Sequence, residues 1–183
     1  MAFTPIQAKV YNRGRPPAEF LSELITWGRD APAEVFQPND RADVYVRVRP
    51  HLGPWTSELY RRAVMLEVLR VLGGFESSWN WEEGRDTAKP TPNTPTNEEA
   101  GIFQCSFDSL ALDPSLRQLL LAQGVDATPQ SFIETTKDNH AFAIEYCARL
   151  LRCTAKHHGP LKSGKMLPWL SRDAVAEFER LLA

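Results

Sequence analysis

The sequence has few cysteines, little net charge and no long apolar run, and each of these shortages excludes a class of protein. Three cysteines among 183 residues are an odd number and too few for a disulfide framework. Lys and Arg total 21 against 23 for Asp and Glu, so the net charge of −2 gives no bulk attraction to nucleic acid or an anionic membrane. No stretch approaches the roughly 20 apolar residues of a membrane-spanning helix. We therefore expect a globular chain with neither nucleic-acid binding nor membrane insertion.

The 14 prolines are unevenly placed, and two long gaps between them mark the expected long helices. Proline breaks a helix interior, and none lies between Pro54 and Pro90 or between Pro129 and Pro160. Apolar residues recur at helical spacing in both gaps, which predicts helices that contribute to a core. Gly159-Pro160 is expected to close the second helix.

The first of these helices is expected to begin at Thr56 or Ser57, whose side-chain oxygens suit an N-cap. Gly73-Gly74 is expected to end it, because glycine adopts the left-handed conformation that terminates helices. Glu76 then follows directly after a buried helix. Shorter helices are predicted at about Pro17–Trp27, Pro114–Ala122 and Arg172–Leu182.

Only Asp43–Arg49, with the sequence DVYVRVR, alternates like a β-strand. Residues 85–98 are rich in Thr, Pro and Asn, which predicts a surface loop. The sequence shows no internal repeat. The predicted fold class is mainly α, with little or no β structure. We expect residues 1–50 to form an irregular N-terminal arm with a short helix, packed on a main domain of residues 51–183.

Two short segments carry the most specific signal: FESSW at residues 75–79 and EAGIFQCS at residues 99–106. Together they resemble the lysozyme-like superfamily, especially goose-type lysozymes and soluble lytic transglycosylases. In those families a helix ends in a catalytic Glu within an E-S-x-[FW] motif, and a G-[LI]-[MF]-Q segment lines the sugar-binding cleft. The resemblance covers roughly residues 59–110 and extends weakly to residues 139–151. It implies a single lysozyme-like helical domain with a cleft.

The resemblance makes Glu76 the general acid of a glycosidase. Cleaving a glycosidic bond requires an acid that is still protonated near neutral pH, whereas an ordinary Glu has a pKa of about 4.3. Phe75 and Trp79 flank Glu76 in the sequence and are expected to supply the apolar surroundings that disfavour a charge.

A second carboxylate is needed if a water molecule is to be activated, and two candidates remain open. Asp86 belongs to Gly84-Arg85-Asp86, which is expected to turn back toward the cleft, and Glu99 immediately precedes Ala100-Gly101. Asp86 is the first choice. The sequence departs from the goose-type pattern at Cys105-Ser106, where those enzymes carry an acidic residue. If neither carboxylate reaches the cleft, a lytic transglycosylase mechanism with one Glu becomes the better interpretation.

The remaining site residues are expected to contact the sugar. Polar side chains would bind hydroxyl and N-acetyl groups, aromatic rings would stack on sugar faces, and a glycine would allow close approach of the backbone. The expected substrate-binding residues are Ser77, Trp79, Gly101, Phe103, Gln104 and Ser106.

We expect neither a metal site nor a cofactor. His157-His158 is the only tempting pair, but neighbouring residues on a helix point apart, and no Cys or acidic residue has the spacing of a ligand. Cys147 and Cys153 are six residues apart on one expected helix and face different directions. Buried free thiols are the expected state of the cysteines.

The sequence therefore predicts a glycosidase that hydrolyses the β-1,4 bond between N-acetylmuramic acid and N-acetylglucosamine in peptidoglycan. The alternatives are a lytic transglycosylase, an enzyme acting on chitin or chitosan, and a non-catalytic module that binds cell-wall glycan or a partner protein. The first residues, MAFTPIQAKVYNRGRPP, lack the apolar stretch of a signal peptide. We expect synthesis in the cytoplasm, and action in the periplasm or cell wall after delivery by a holin, a secretion system or lysis. An immunity protein that plugs the cleft is a possible partner.

Overall fold

The computed structural model describes residues 4–84 and 94–183, and these ranges are mainly helical, which confirms the expected fold class. The α-helices are α1 (Ala18–Asp30), α2 (Val44–Leu52), α3 (Glu58–Ser77), α4 (Pro114–Leu121), α5 (Pro129–Asp138), α6 (His140–Cys153), α7 (Gly159–Ser163) and α8 (Arg172–Leu182). Short 3-10 helices cover Ala33–Val35, Phe107–Leu112 and Leu167–Trp169. Strands β1 (Glu99–Ala100) and β2 (Cys105–Ser106) form an antiparallel hairpin, with Glu99 opposite Ser106 and Ala100 opposite Cys105.

Helix α3 lies at the centre of the molecule. Every residue from Ala63 to Gly74 is buried, because α1, α6, α7 and α8 pack around it. The helix begins where the sequence predicts, since the Ser57 hydroxyl accepts a hydrogen bond from the amide of Tyr60 at 2.9 Å. A helix buried over its whole circumference needs apolar residues on all sides, which explains why apolar residues occupy most of its length.

The prediction that Gly73-Gly74 ends α3 is wrong. The helix continues to Ser77 and stops at Ser78, which adopts the left-handed conformation with φ 57°. The two glycines serve packing instead, because a Cβ on Gly74 would lie 2.7 Å from Cζ2 of Trp79. Their missing side chains make room for the indole of Trp79 against the last turns of the helix. Glu76 therefore lies within the last turn of α3 rather than beyond it.

The second proline gap holds two helices rather than one. Asn139 separates α5 from α6, and its side-chain oxygen accepts a hydrogen bond from the amide of Phe142 at 3.0 Å. An N-cap in the middle of the gap starts a new helix in a new direction. Helix α6 ends at Cys153, so the prediction that it runs to Gly159 is also wrong.

The segment predicted as a strand, Asp43–Arg49, forms most of α2. Asp43 caps this helix by accepting a hydrogen bond from the amide of Val46 at 3.2 Å. Val44, Val48 and Leu52 are buried at a spacing of four residues, which is the spacing of one helix face. Alternation over seven residues was compatible with both structures, and burial of this helical face decided between them.

Residues 4–50 share the core. Helix α1 packs against α3, α6 and α8, and Phe20, Leu21 and Leu24 are almost completely buried. On α8, Glu177 accepts hydrogen bonds from the backbone amides of Thr4 and Ile6, at 3.3 and 2.9 Å. Helix α8 has the predicted bounds, α4 ends one residue earlier than predicted, and α1 ends at Asp30 rather than Trp27. Within the described ranges, no helix combines the length and apolar character needed to cross a membrane.

A buried ion pair lies inside α3. Arg70 donates two hydrogen bonds to the carboxylate of Glu67, at 2.6 and 2.8 Å, and their side chains are 1% and 0% exposed. The same carboxylate accepts the amide of Ser171, the N-cap of α8, at 2.8 Å. Burial raises the pKa of Glu67 above its ordinary value, and the guanidinium of Arg70 opposes that shift. The pair thus satisfies two charges in the core and joins α3 to α8.

We expect Glu67→Leu to lower the free energy of unfolding by about 3–5 kcal/mol, because it leaves the Arg70 guanidinium buried without its partner. Urea denaturation measures the change. The matched control is Glu58→Gln, which removes an exposed ion pair with Arg62 on the same helix and costs less than about 1 kcal/mol. Adding Arg70→Met to Glu67→Leu should restore part of the loss. A double variant less stable than Glu67→Leu alone would contradict this account.

Candidate functional site

A polar cleft of about 450 Å³ opens at the C-terminal end of α3. Within residues 4–84 and 94–183, four segments line it: the last turn of α3, the loop after it, the β-hairpin, and the turn that leads into α7. Its lining residues are Glu76, Glu83, Gly84, Glu99, Gln104, His157, His158 and Gly159. From the described part of the chain, the cleft therefore gathers three carboxyl groups, two imidazoles and one side-chain amide.

Glu76 reaches the cleft from the end of the buried helix, and its side chain is 17% exposed. The aromatic neighbours expected to surround it lie elsewhere. The ring of Phe75 stacks on Tyr11, with centroids 5.6 Å apart, and Trp79 is buried against the glycines of α3. The group that faces the Glu76 carboxylate is instead His158, whose Nδ1 lies 3.3 Å from Oε1.

His158 is almost fully buried and links Glu76 to two thiols. Its second ring nitrogen, Nε2, lies 3.7 Å from Sγ of Cys147, and Cys105 belongs to the same cluster. Burial lowers the pKa of His158, but hydrogen bonds to Cys105 and Glu76 outweigh this effect and raise the pKa to about 10. Hydrogen bonding from Cys147 lowers the pKa of Cys105 to about 6 against the effect of burial. Burial raises the pKa of Cys147.

The loop after α3 is tied to the hairpin by a small network. The hydroxyl of Ser77 donates to the carbonyl of Ile102 at 2.8 Å, and the amide of Gly101 donates to the carbonyl of Glu83 at 2.8 Å. The side-chain amide of Gln104 donates to the carbonyl of Gly101 at 2.9 Å. These bonds hold the walls of the cleft at a defined separation.

Three non-glycine residues beside the cleft have positive φ angles. Ser78, Trp79 and Gln104 have φ of 57°, 62° and 49°. Such backbone conformations are unfavourable for L-residues and persist where the surrounding structure enforces them, which is common at functional sites. Two of the three redirect the chain directly after Glu76, and the third lines the cleft.

Among the predicted catalytic residues, Glu76 and Glu99 line the same cleft, and Asp86 lies outside the described residues. Gln104 is the predicted substrate-binding residue that also lines it. The structure places the side chains of the others in the interior. The indole of Trp79 donates to the carbonyl of Arg70, and Phe103 is only 1% exposed.

Two further predicted contacts have internal partners as well. The hydroxyl of Ser106 donates a hydrogen bond to the carboxylate of Asp108 at 2.5 Å, and the hydroxyl of Ser77 donates one to the carbonyl of Ile102. Gly101 permits a close approach, with φ 70°, but the approach is to α5, because an added Cβ would lie 2.8 Å from Cγ2 of Thr136. These internal contacts give no support to a sugar-binding role for the following residues: Ser77, Trp79, Gly101, Phe103 and Ser106.

The sequence interpretation missed Glu83, His157 and His158 as cleft residues. No Cys or acidic residue has ligand spacing from His158 in the sequence, but the fold brings Cys105, Cys147 and Glu76 to it from distant positions. His157-His158 also lies in a turn before α7 and not on a helix. The argument that neighbouring helical residues point apart therefore does not apply to this pair. The sequence feature that points to this cluster is the small number of such residues, because the chain has only three cysteines and four histidines.

Comparisons with known proteins identify no relative of this chain. Neither a protein family, nor a curated protein, nor a solved structure matches the chain.

We expect Gly101→Ala to lower the free energy of unfolding by about 2–5 kcal/mol. A left-handed L-residue costs about 1–2 kcal/mol, and crowding against Thr136 adds about 1–3 kcal/mol. Gly124→Ala is the matched control, because Gly124 has φ 77° with open space around it. It should lose only the conformational part, and equal losses in the two variants, measured by thermal denaturation, would contradict a close contact between the hairpin and α5.

Proposed function

We propose that this protein is a peptidoglycan-cleaving glycosidase that hydrolyses the β-1,4 bond between N-acetylmuramic acid and N-acetylglucosamine. The observation that carries the proposal is the meeting of Glu76, Glu99 and Gln104 in one polar cleft. These residues come from the two segments that resemble the lysozyme-like superfamily. The cleft volume of about 450 Å³ falls within the usual range of ligand pockets, about 300–1,000 Å³.

Glu76 is the general acid of the proposed reaction. It donates a proton to the oxygen of the leaving sugar as the glycosidic bond breaks. The carboxylate that remains accepts a hydrogen bond from Nδ1–H of His158, the group 3.3 Å away. The buried helix α3 fixes the position of Glu76, so little ordering is required when the substrate binds.

A second carboxylate activates the attacking water from another wall of the cleft. Glu99 on β1 is the favoured base, and Glu83 in the loop after α3 is the alternative that the geometry adds. An inverting mechanism requires the acid and the base to lie roughly 6.5–9.5 Å apart, which leaves room for the water. Gln104 also lines the cleft, and its side-chain carbonyl can accept a hydrogen bond from the sugar.

Peptidoglycan lies outside the cytoplasm, so the proposed activity requires delivery to the periplasm or cell wall. A protein delivered into a rival cell would also require an inhibitor in the producing cell. A loop or side chain of such an immunity protein would enter the cleft and cover Glu76.

The decisive experiment is digestion of purified peptidoglycan, with the products identified by mass spectrometry. The wild-type protein should release fragments with a reducing end. Glu76→Gln should lower the rate at least about 100-fold, because general acid catalysis contributes about 10²–10⁴-fold. Glu99→Gln and Glu83→Gln, tested separately, should identify the base by the larger loss.

Glu82→Gln is the control for removing an acidic residue from the same region, because Glu82 is exposed and does not line the cleft. It should retain wild-type activity. Products with 1,6-anhydro ends would assign the protein to the lytic transglycosylases instead. Binding of glycan without any product would overturn the enzymatic proposal in favour of a binding module, and equal rates for wild type and Glu76→Gln would remove Glu76 from the mechanism.

A further inference from the structure

Behind the wall of the cleft lies a buried cluster of two thiols and one imidazole. Cys105 is on β2, Cys147 is on α6, and His158 is the residue before α7. Their ligand atoms all lie within 4.8 Å of one another, and the three residues are 1%, 0% and 3% exposed. The proposed glycosidase mechanism uses His158 only as a hydrogen-bond donor and gives the thiols no role.

The spacing of the cluster suits a tetrahedral metal ion. With Zn–S of about 2.3 Å and Zn–N of about 2.0–2.1 Å, tetrahedral angles separate a sulfur from a nitrogen by about 3.6 Å. Sγ of Cys147 and Nε2 of His158 are 3.7 Å apart. Two sulfurs in the same geometry are about 3.8 Å apart, so even a pair at the 4.8 Å limit of the cluster needs to contract by only about 1.0–1.2 Å.

The two nitrogens of His158 face the partners that a zinc ligand requires. Nε2 faces Sγ of Cys147, and Nδ1 faces the carboxylate of Glu76 at 3.3 Å. A histidine that binds a metal through one nitrogen characteristically donates its other N–H to a carboxylate, which fixes the ring and its tautomer. Glu76 stands in that position.

The charge of the cluster also favours a divalent ion. Two buried thiolates are unfavourable without compensation, and one divalent cation neutralises both. Thiolate and imidazole ligands together select zinc over magnesium or calcium, which prefer oxygen ligands. His158 also lines the cleft, so the cluster lies directly beside a polar, open space.

We propose that Cys105, Cys147 and His158 bind one Zn²⁺ ion, with Glu76 as the carboxylate that orients the histidine. Three protein ligands leave one tetrahedral position for a water molecule. The ion joins the hairpin, α6 and the turn before α7 directly behind the cleft. This inference rests on the cluster alone and does not depend on the proposed glycosidase activity.

The test uses the full chain, reduced and stripped of metal by a chelator, then titrated with Co²⁺ as a spectroscopic probe and with Zn²⁺ in competition. A thiol assay on unfolded protein confirms that all three cysteines are reduced before the titration. One Co²⁺ per chain should produce the intense visible bands of tetrahedral cobalt and an ultraviolet thiolate-to-cobalt charge-transfer band. Zn²⁺ should displace it stoichiometrically.

Cys105→Ser and Cys147→Ser should each weaken Zn²⁺ binding at least about 100-fold and reduce the charge-transfer band. Cys153→Ser is the matched control, because Cys153 lies outside the cluster and is only partly buried. It should bind Zn²⁺ as the wild type does. Glu76→Gln should weaken binding about 10–100-fold, the usual effect of removing such an orienting group.

The wild-type titration decides the matter even if a variant fails to fold. No stoichiometric binding by the reduced wild-type chain overturns the proposal, as does a Co²⁺ spectrum without the thiolate band. A loss in Cys153→Ser equal to that in Cys147→Ser overturns the assigned ligands. Because metal binding is read without any glycan, its outcome is independent of the peptidoglycan digestion.

Discussion

The rest of the structure depends on the burial of α3 over its whole circumference. No side of this helix faces solvent between Ala63 and Gly74, so the surrounding helices are arranged to cover it. This burial requires that the charges of Glu67 and Arg70 satisfy each other inside the core. The helix reaches the edge of the core at its last turn, where Phe75 and Glu76 are partly exposed. Glu76 is therefore a carboxylate attached to a deeply buried helix and presented at the edge of the core.

The way in which the chain leaves α3 determines the shape of the cleft. Left-handed residues at Ser78 and Trp79 turn the backbone sharply, and the indole of Trp79 returns to cover the glycines of the helix. The loop can then bond to the hairpin through Glu83 and Gly101. This packing maintains the unfavourable backbone conformations of Ser78 and Trp79. The aromatic ring of Trp79 is therefore used to cover the helix and not to stack on a sugar.

The sequence predicted those helix boundaries that depend on interactions between residues close together in the chain, such as N-caps. Helices α3 and α8 begin at serine caps, and both carry a clear apolar pattern. The prediction of a strand at residues 43–49 was wrong, because seven alternating residues fit both a strand and one face of a helix. Only burial against the core distinguishes the two structures. The same division holds for the site. Glu76, Glu99 and Gln104 belong to short motifs, whereas His158 and Cys147 reach the cleft region only through tertiary packing, which no sequence spacing reveals.

The contact between Glu76 and His158 connects the two proposals chemically. A histidine bound to a metal through Nε2 carries its remaining proton on Nδ1, and that proton faces Glu76. The histidine is then a fixed hydrogen-bond donor, which favours the ionised form of Glu76 both before and after proton transfer. Without the ion, the ring can hold protons on both nitrogens, and its orientation depends on two thiols that can themselves lose protons. A metal ion behind the cleft would thus hold constant the charge and the geometry of the imidazole that faces the proposed acid.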